Sequence, residues 1–375
     1  MNTRLKINTA SFLAICFLMA FFCAKTFTMP DMMANGLIAF TGLLCLAFAM
    51  LNKKLSTGYL LTALMLSVIM VMCMLFNGNA SSLEVMWIWC YLGAALILAQ
   101  FNVSSKTLSV VLIIVTLIYG RQIVLGVDAT DAIGSGSGNN ISTYILFYVI
   151  LLYMKRYEEN KSIAYWPCII AIILSIWGNG RAGILASGVL FVLIFFYDYI
   201  FVKKAKPSTL IKITMLALIA LVIIYFYFDS YIEDLLEKFD RYGYSSVRME
   251  IWSEYFNSAF SSIGNFFFGV SPQAGKTPLL FYYSGNPHNA FIMLHSKFGF
   301  IGVLCVLFLL IRTVARFLQK KEYVYLILIV VWFIRSMFDW TGFPGIFDVL
   351  FFYFVIKSGD SKISSDRVLD RKEIK

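Results

Sequence analysis

Charge and histidine are what this chain has least of: Asp, Glu, Lys and Arg together make up 14% of its 375 residues, and His occurs twice. Set against 60% hydrophobic residues, with 35 Phe, 21 Tyr and 16 Met, and a mean hydropathy of +0.79, that poverty excludes a soluble globular domain. No core of this size could hide so much apolar surface. Clustered cysteine is missing as well. Cys16, Cys23, Cys45, Cys73, Cys90, Cys168 and Cys305 are scattered through apolar runs without a CxxC spacing or a neighbouring His. They read as small core residues, not as a zinc site or a disulfide framework. The polar loops contain no Asp-x-Asp metal pair. Asp128 and Asp131 stand three apart, and Asp229, Glu233, Asp234, Glu237 and Asp240 suit the polar face of an amphipathic helix. Neither a metal nor another cofactor is expected.

What is present is a series of apolar runs near 9–27, 34–51, 58–76, 83–100, 107–125, 141–154, 162–178, 182–202, 208–228, 289–311, 322–338 and 344–357. The expected fold is therefore all-α: a polytopic membrane protein of about twelve transmembrane helices, most runs being close to the ~20 residues a crossing needs. The first run follows Arg4 and Lys6 as a signal peptide would, but its length fits a retained span, and the bulky Phe22 before Cys23 does not suit a lipoprotein cleavage site. A cytoplasmic N-terminus puts Lys53/Lys54, Lys106, Lys155/Arg156/Lys161, Lys203/Lys204/Lys206, Arg312/Arg316/Lys320/Lys321 and the tail 358–375 on the cytoplasmic side. Every even-numbered boundary agrees with the preference of Lys and Arg for that side. The net charge of +10 is thereby accounted for by topology, with no nucleic acid among the partners. Residues 1–375 read as one integral membrane domain in a cytoplasmic membrane, with both termini inside and no internal repeat relating the halves.

Against this background the outward-facing ionisable groups stand out, because charge within a membrane is costly and marks functional sites. Arg121, Arg181, Arg248 and His288 all sort to the same outer side. Arg181 lies in the tight turn Gly178-Asn179-Gly180-Arg181-Ala182-Gly183, close to a helix start whose free N–H groups and positive dipole end favour an anion. The segment 229–287 is the one long outer loop, and loops longer than about 15 residues are usually functional. Ile232, Leu235, Leu236 and Phe239 recur there at helical spacing, as do Val247, Ile251 and Tyr255, predicting two short amphipathic helices. The second should start at Ser245 or Ser246 as N-cap, with Arg248 in its first turn and Trp252 one turn later on the same face. His288 follows Asn286 and Pro287 at the entry to the tenth run, where an imidazole could take a proton from a sugar hydroxyl near neutral pH.

Each of these residues also has a plainer reading. An arginine at a helix end snorkels to lipid headgroups or satisfies carbonyls, a loop helix often carries a solvated arginine, and a lone His such as His288 or His295 is commonly a hydrogen-bonded structural residue. Glu84, Arg335 and Asp339 lie near the same boundary. Arg335 and Asp339, four apart, favour structural pairing. Phe266, Phe267, Phe268, Phe281, Tyr282 and Tyr283 fit sugar stacking and an interfacial aromatic belt equally well. Trp252 is the best sugar-facing aromatic, since it shares a helix face with Arg248.

Three short motifs carry a resemblance: Gly180-Arg181-Ala182-Gly183; Ser246-Val247-Arg248 with Trp252 and the downstream Phe268-Gly269; and Pro287-His288-Asn289-Ala290-Phe291 with Gly299 and Gly302. In their order, spacing and common membrane side, over about 165–305, they resemble the O-antigen ligase and O-antigen polymerase superfamily of bacterial membrane glycosyltransferases. The first 160 residues match only in being a series of spans. The resemblance implies an inverting, metal-independent transfer of a glycan from undecaprenyl diphosphate to an acceptor hydroxyl. His288, Arg181 and Arg248 would be catalytic, the two arginines holding the diphosphate and His288 activating the acceptor. Trp252, Arg121 and Asn289 would join the arginines in binding substrate. The expected partners are the undecaprenyl-diphosphate-linked oligosaccharide, a glycan acceptor and the lipid bilayer, with a flippase and a chain-length regulator beside them. The leading expectation is a polymerase of repeat units for a capsule, exopolysaccharide or O-antigen. The alternatives are a ligase that moves the finished glycan to a lipid core and, from another class, a flippase for lipid-linked oligosaccharides. A flippase would place its polar site near the midplane between repeated halves.

Overall fold

The computed structural model describes residues 8–78, 82–134, 137–206, 208, 247–272, 278–282 and 285–360. They form helices and connecting turns, with no strand among the described residues. Five helices open the chain: α1 (Thr9–Thr26), α2 (Asp31–Leu51), α3 (Thr57–Asn77), α4 (Ser82–Gln100) and α5 (Ser105–Val124). Then come α6 (Asn139–Glu158), α7 (Trp166–Trp177) and α8 (Arg181–Tyr197), the last continuing into a π-helical turn at Asp198–Val202. After the segment 209–246 follow α9 (Val247–Ala259), α10 (Ile263–Phe268), α11 (Pro278–Tyr282), α12 (Ala290–Gln319), α13 (Tyr323–Met337) and α14 (Phe347–Gly359).

Seven of these helices are long and apolar enough to cross a membrane: α1 to α5, α8 with its π turn, and α12. The expectation of about twelve full-length spans is thus met only in part. The run at 162–178 folds as a helix of 12 residues, about 18 Å at 1.5 Å per residue, short of the roughly 30 Å of a hydrocarbon core. Its N-terminus is set by Pro167, which occupies the first turn and has no N–H to leave unsatisfied there. The run at 322–338 gives α13, which is apolar but also short. The ninth run, the first amphipathic helix of the long loop, the Ser245/Ser246 cap, Tyr283 and the tail from 361 lie outside the described residues. The second amphipathic helix is α9.

Antiparallel neighbours sort the helix ends into two sets. At one end the start of α6 meets the Gly178 turn and the end of α13, through the approach of Gly138 to Gly178 and a hydrogen bond from Arg335 to the Asn139 carbonyl. At the other end, Glu158 at the close of α6 is reached by Tyr325 near the start of α13 and by Tyr353 near the end of α14. Helix α6 is buried along its whole length and forms the central post of the bundle. Its periodicity is accordingly weak, as expected of a helix covered on all sides.

α9 packs across α12 outside the main bundle. Ile251, Tyr255 and Ala259 form a small second core with Val270 and Ile292. α10 closes on α12 at Gly299, where α12 is kinked at φ 60°, because a Cβ there would run into the Phe267 carbonyl. Only glycine combines that left-handed φ with so close a backbone approach. Glu250, Ser253, Glu254 and Asn257 turn the other way, to an open groove of about 980 Å³.

Candidate functional site

The first arginine of the resemblance, Arg181, is the opening residue of α8, after the Gly178–Gly180 turn, and its side chain is exposed. The turn can be this tight because Gly183, one helical step on, lies against Ser142 of α6, where a Cβ would collide with the hydroxymethyl group. Arg248 stands in the first turn of α9, half-buried. Burial pushes its guanidinium pKa down; Asp339 pulls it up, while Arg335 and Arg181 depress it further. Arg248 therefore lies within electrostatic range of Arg181 on α8, of Arg335 on α13 and of the Asp339 carboxylate.

Asp339 is that carboxylate. Arg335, 1% exposed, donates from Nη2 to Asp339 Oδ2 at 2.7 Å and to the Asn139 carbonyl at 3.2 Å, while its Nε is buried with no hydrogen-bond partner. Oδ1 of Asp339 accepts from the Trp340 amide at 2.9 Å and lies 3.9 Å from His288 Nδ1, an ion-pair distance rather than a hydrogen bond. Burial pushes the Asp339 carboxyl up, but Arg335 and His288 outweigh it and hold the acid well below the usual carboxylate range. The loop that presents Asp339 is pinned from behind. Buried Asp348 accepts from the Phe343 amide at 2.9 Å and the Gly345 amide at 3.0 Å.

His288 was expected at a helix start. It stands two residues earlier, in the turn before α12, in the left-handed region at φ 49°. Its amide donates to Asn286 Oδ1 at 2.8 Å, the Asx geometry that makes such a backbone tolerable. Asn289 is the actual N-cap: its side-chain carbonyl accepts from the Phe291 and Ile292 amides at 2.8 and 3.1 Å, and the residue is buried. Its oxygen is occupied as a cap, so the substrate-binding role proposed for it has only the amide NH₂ left to draw on. Trp252 does share a helix face with Arg248, but its indole N–H donates to the Pro287 carbonyl at 2.8 Å. Trp252 therefore holds the chain entering His288, leaving only its ring for a sugar. Arg121 is exposed in the last turn of α5, apart from the contacts that join the other groups.

His295 takes the structural reading. Its Nε2–H donates to the Phe266 carbonyl at 2.8 Å and Nδ1 accepts from the Tyr255 hydroxyl at 2.7 Å, so both ring nitrogens are engaged. Glu84 pairs with Lys297 at 2.9 Å. Among the described residues no group of three His, Cys, Asp or Glu side chains is gathered as a metal site would need.

Arg335 and Asp339 form the i,i+4 pair that their spacing announces, yet they belong to the cluster too. The signal was the spacing; what it lacked was the fold of 338–346, which turns Asp339 toward His288. Chemically, the assembly offers guanidinium donors for an anion beside an imidazole oriented by a carboxylate. No curated protein and no solved structure matches the chain. Residues 166–307, which contain Arg181, Arg248, Trp252 and His288, match the family model described as O-antigen ligase. Over this stretch, well under half of the chain, the sequence is similar to the O-antigen ligase family.

Proposed function

We propose that the protein polymerises lipid-linked polysaccharide repeat units, taking a glycan from undecaprenyl diphosphate and joining it to a sugar hydroxyl on the outer side of the cytoplasmic membrane. The reading is carried by one observation: His288 stands beside Asp339, that carboxylate pairs with Arg335 and lies within electrostatic range of Arg248, and Arg181 lies within range of Arg248. In the proposed step His288 removes the proton from the acceptor hydroxyl, whose oxygen attacks the anomeric carbon of the donor's first sugar. The bond from that carbon to the diphosphate oxygen breaks, and the linkage inverts. Asp339 lies 3.9 Å from Nδ1 and stabilises the imidazolium that forms. Undecaprenyl diphosphate leaves with negative charge, which Arg181 and Arg248 neutralise through pairs of guanidinium N–H donors. The half-buried setting of Arg248 strengthens its share of the effect, because a charge interacts more strongly where less water screens it.

The ligase reading uses the same donor and the same atoms, and the description of the matching family favours it. The polymerase reading rests on the modest length of the segment 229–287. Complementation of a deletion strain with His288→Ala, Arg181→Ala and Arg248→Ala separates the two. A polymerase leaves single-repeat glycans on the surface or carrier, whereas a ligase leaves long glycans stranded on the carrier. Wild-type ladders from all three variants at normal protein levels would remove the site altogether.

A further inference from the structure

Beside His288 a cavity of about 370 Å³ opens between α1, α2, α4, α6 and the 339–346 loop. Asp339 and Asn286 form the wall it shares with the site just described, and neither Arg181 nor Arg248 lines it. Its remaining walls combine Trp87, Asn35, Lys25 and Thr143 with Glu84. Such a set of one indole face, an amide, charged groups and hydroxyls is unusual among helices otherwise built from Leu, Ile, Phe and Ala. In an apolar bundle each of these polar groups costs stability unless something satisfies it. The Thr143 hydroxyl shows that cost directly: the residue is 4% exposed and its oxygen has no hydrogen-bond partner.

We propose that this cavity binds the acceptor sugar, with Trp87 as the stacking platform and Thr143 and Asn35 as hydrogen-bonding partners of ring hydroxyls. The inference rests on the glycosyl-transfer reading above and names its second substrate site. Trp87 is already braced for stacking, since Tyr91 lies parallel to it at 5.6 Å between ring centroids. The volume falls at the small end of the roughly 300–1,000 Å³ typical of ligand pockets, which suits one or two sugar rings and not a polymer. The cavity meets the site at Asp339 and Asn286, so an acceptor held in it lies next to the base. Lys25, Asn35, Glu84, Trp87 and Thr143 all lie outside residues 166–307, so acceptor choice resides in the part of the chain that the family model does not cover.

The test uses purified full-length protein in detergent, with the strain's own lipid-linked repeat unit as donor and the repeat-unit oligosaccharide, freed from the carrier by mild acid, as soluble acceptor. Thr143→Val and Trp87→Leu should each raise KM for the soluble acceptor by about tenfold or more, the order expected for losing a hydrogen bond or a stacked ring. The KM for the donor should stay unchanged, and the unfolding temperature of Thr143→Val should be equal or higher, since an unpartnered buried hydroxyl is removed. Thr143→Val removes a hydroxyl without changing shape, so it keeps the test decisive if Trp87→Leu folds poorly. An unaltered acceptor KM in Thr143→Val, or a rise in the donor KM instead, overturns the assignment. His288→Ala run alongside separates the two levels: if it retains transfer, the reaction itself is misread, whereas loss there with wild-type behaviour in Thr143→Val and Trp87→Leu removes only the acceptor site.

Discussion

Two ionic clusters close the two ends of the bundle, and they are built on opposite plans. At the end of α6, Glu158 is met by Lys155 at 3.0 Å and Lys357 at 3.2 Å and accepts from the Tyr325 and Tyr353 hydroxyls at 2.8 and 2.7 Å. Every group there converges on one carboxylate, in a buried setting. At the other end one carboxylate, Asp339, stands beside Arg335, His288 and Arg248, and Arg181 lies within range of Arg248, so cationic groups outnumber the acid and Arg248 is repelled by both other guanidiniums. A cluster whose groups all converge on a shared partner acts as a strut, since breaking it strands a buried charge. A cluster that gathers like charge at a cost in stability has its use in what it binds.

That contrast is breakable by mutation. The largest effect is expected from Arg248→Met, which should lower transfer by about 10²- to 10³-fold, as removal of a preorganised charge-stabilising donor does. The same change should leave the unfolding temperature in detergent equal or higher, because burial and the neighbouring guanidiniums already disfavour the charge. Glu158→Gln should do the reverse. Stranding buried Lys155, while Lys357 keeps only Asp360 at 3.7 Å, should cost about 3 kcal/mol of stability, read as a fall in unfolding temperature. Transfer per folded molecule should stay within about twofold, since the two ends are too far apart to couple.

Asp339 sharpens the comparison through pH. Its folded-state pKa is depressed below the unfolded value of about 4, by Arg335 and His288 against the opposing effect of burial. The stability it contributes is therefore present above about pH 4 and lost as the pH falls through the lower folded value. Unfolding temperatures of wild type and Asp339→Asn should differ most at neutral pH and converge in acid. A constant gap across pH 7 to 3 would show that the carboxylate charge is not what stabilises the loop. The smallest effect belongs to Trp252→Phe. Losing the bond to the Pro287 carbonyl should cost about 1 kcal/mol and reduce kcat more than it raises KM, since it loosens the chain that carries His288.

Much of the fold is legible from residue order. Hydropathy and run length announce the helices from α1 to α6, and the Ile251/Tyr255 spacing announces α9 and its buried face. The short α7 escaped, because an apolar run looks the same whether Pro167 starts a helix at its beginning or partway along it. In the candidate site, Arg181, Arg248 and His288 are visible as costly polar residues within apolar sequence. Asn289 and Trp252 are visible as polar groups too, but their engagement with backbone depends on cap and loop geometry that composition does not encode. Thr143 and Lys25 gave no signal, since a lone Thr or Lys in an apolar run is ordinary.

The order of residues by itself determined an all-helical membrane protein, with charged loops spaced for alternate crossings and a few polar groups kept where they are expensive. These are consequences of local periodicity and of transfer energies that each residue carries wherever it sits. Tertiary structure alone decided that Asp339 would face His288 across 51 positions, and that the first helices would wall a polar cavity beside them. Such convergence depends on how helix faces pack over long separations, where the same apolar surface can be buried in many ways and only one brings those side chains together.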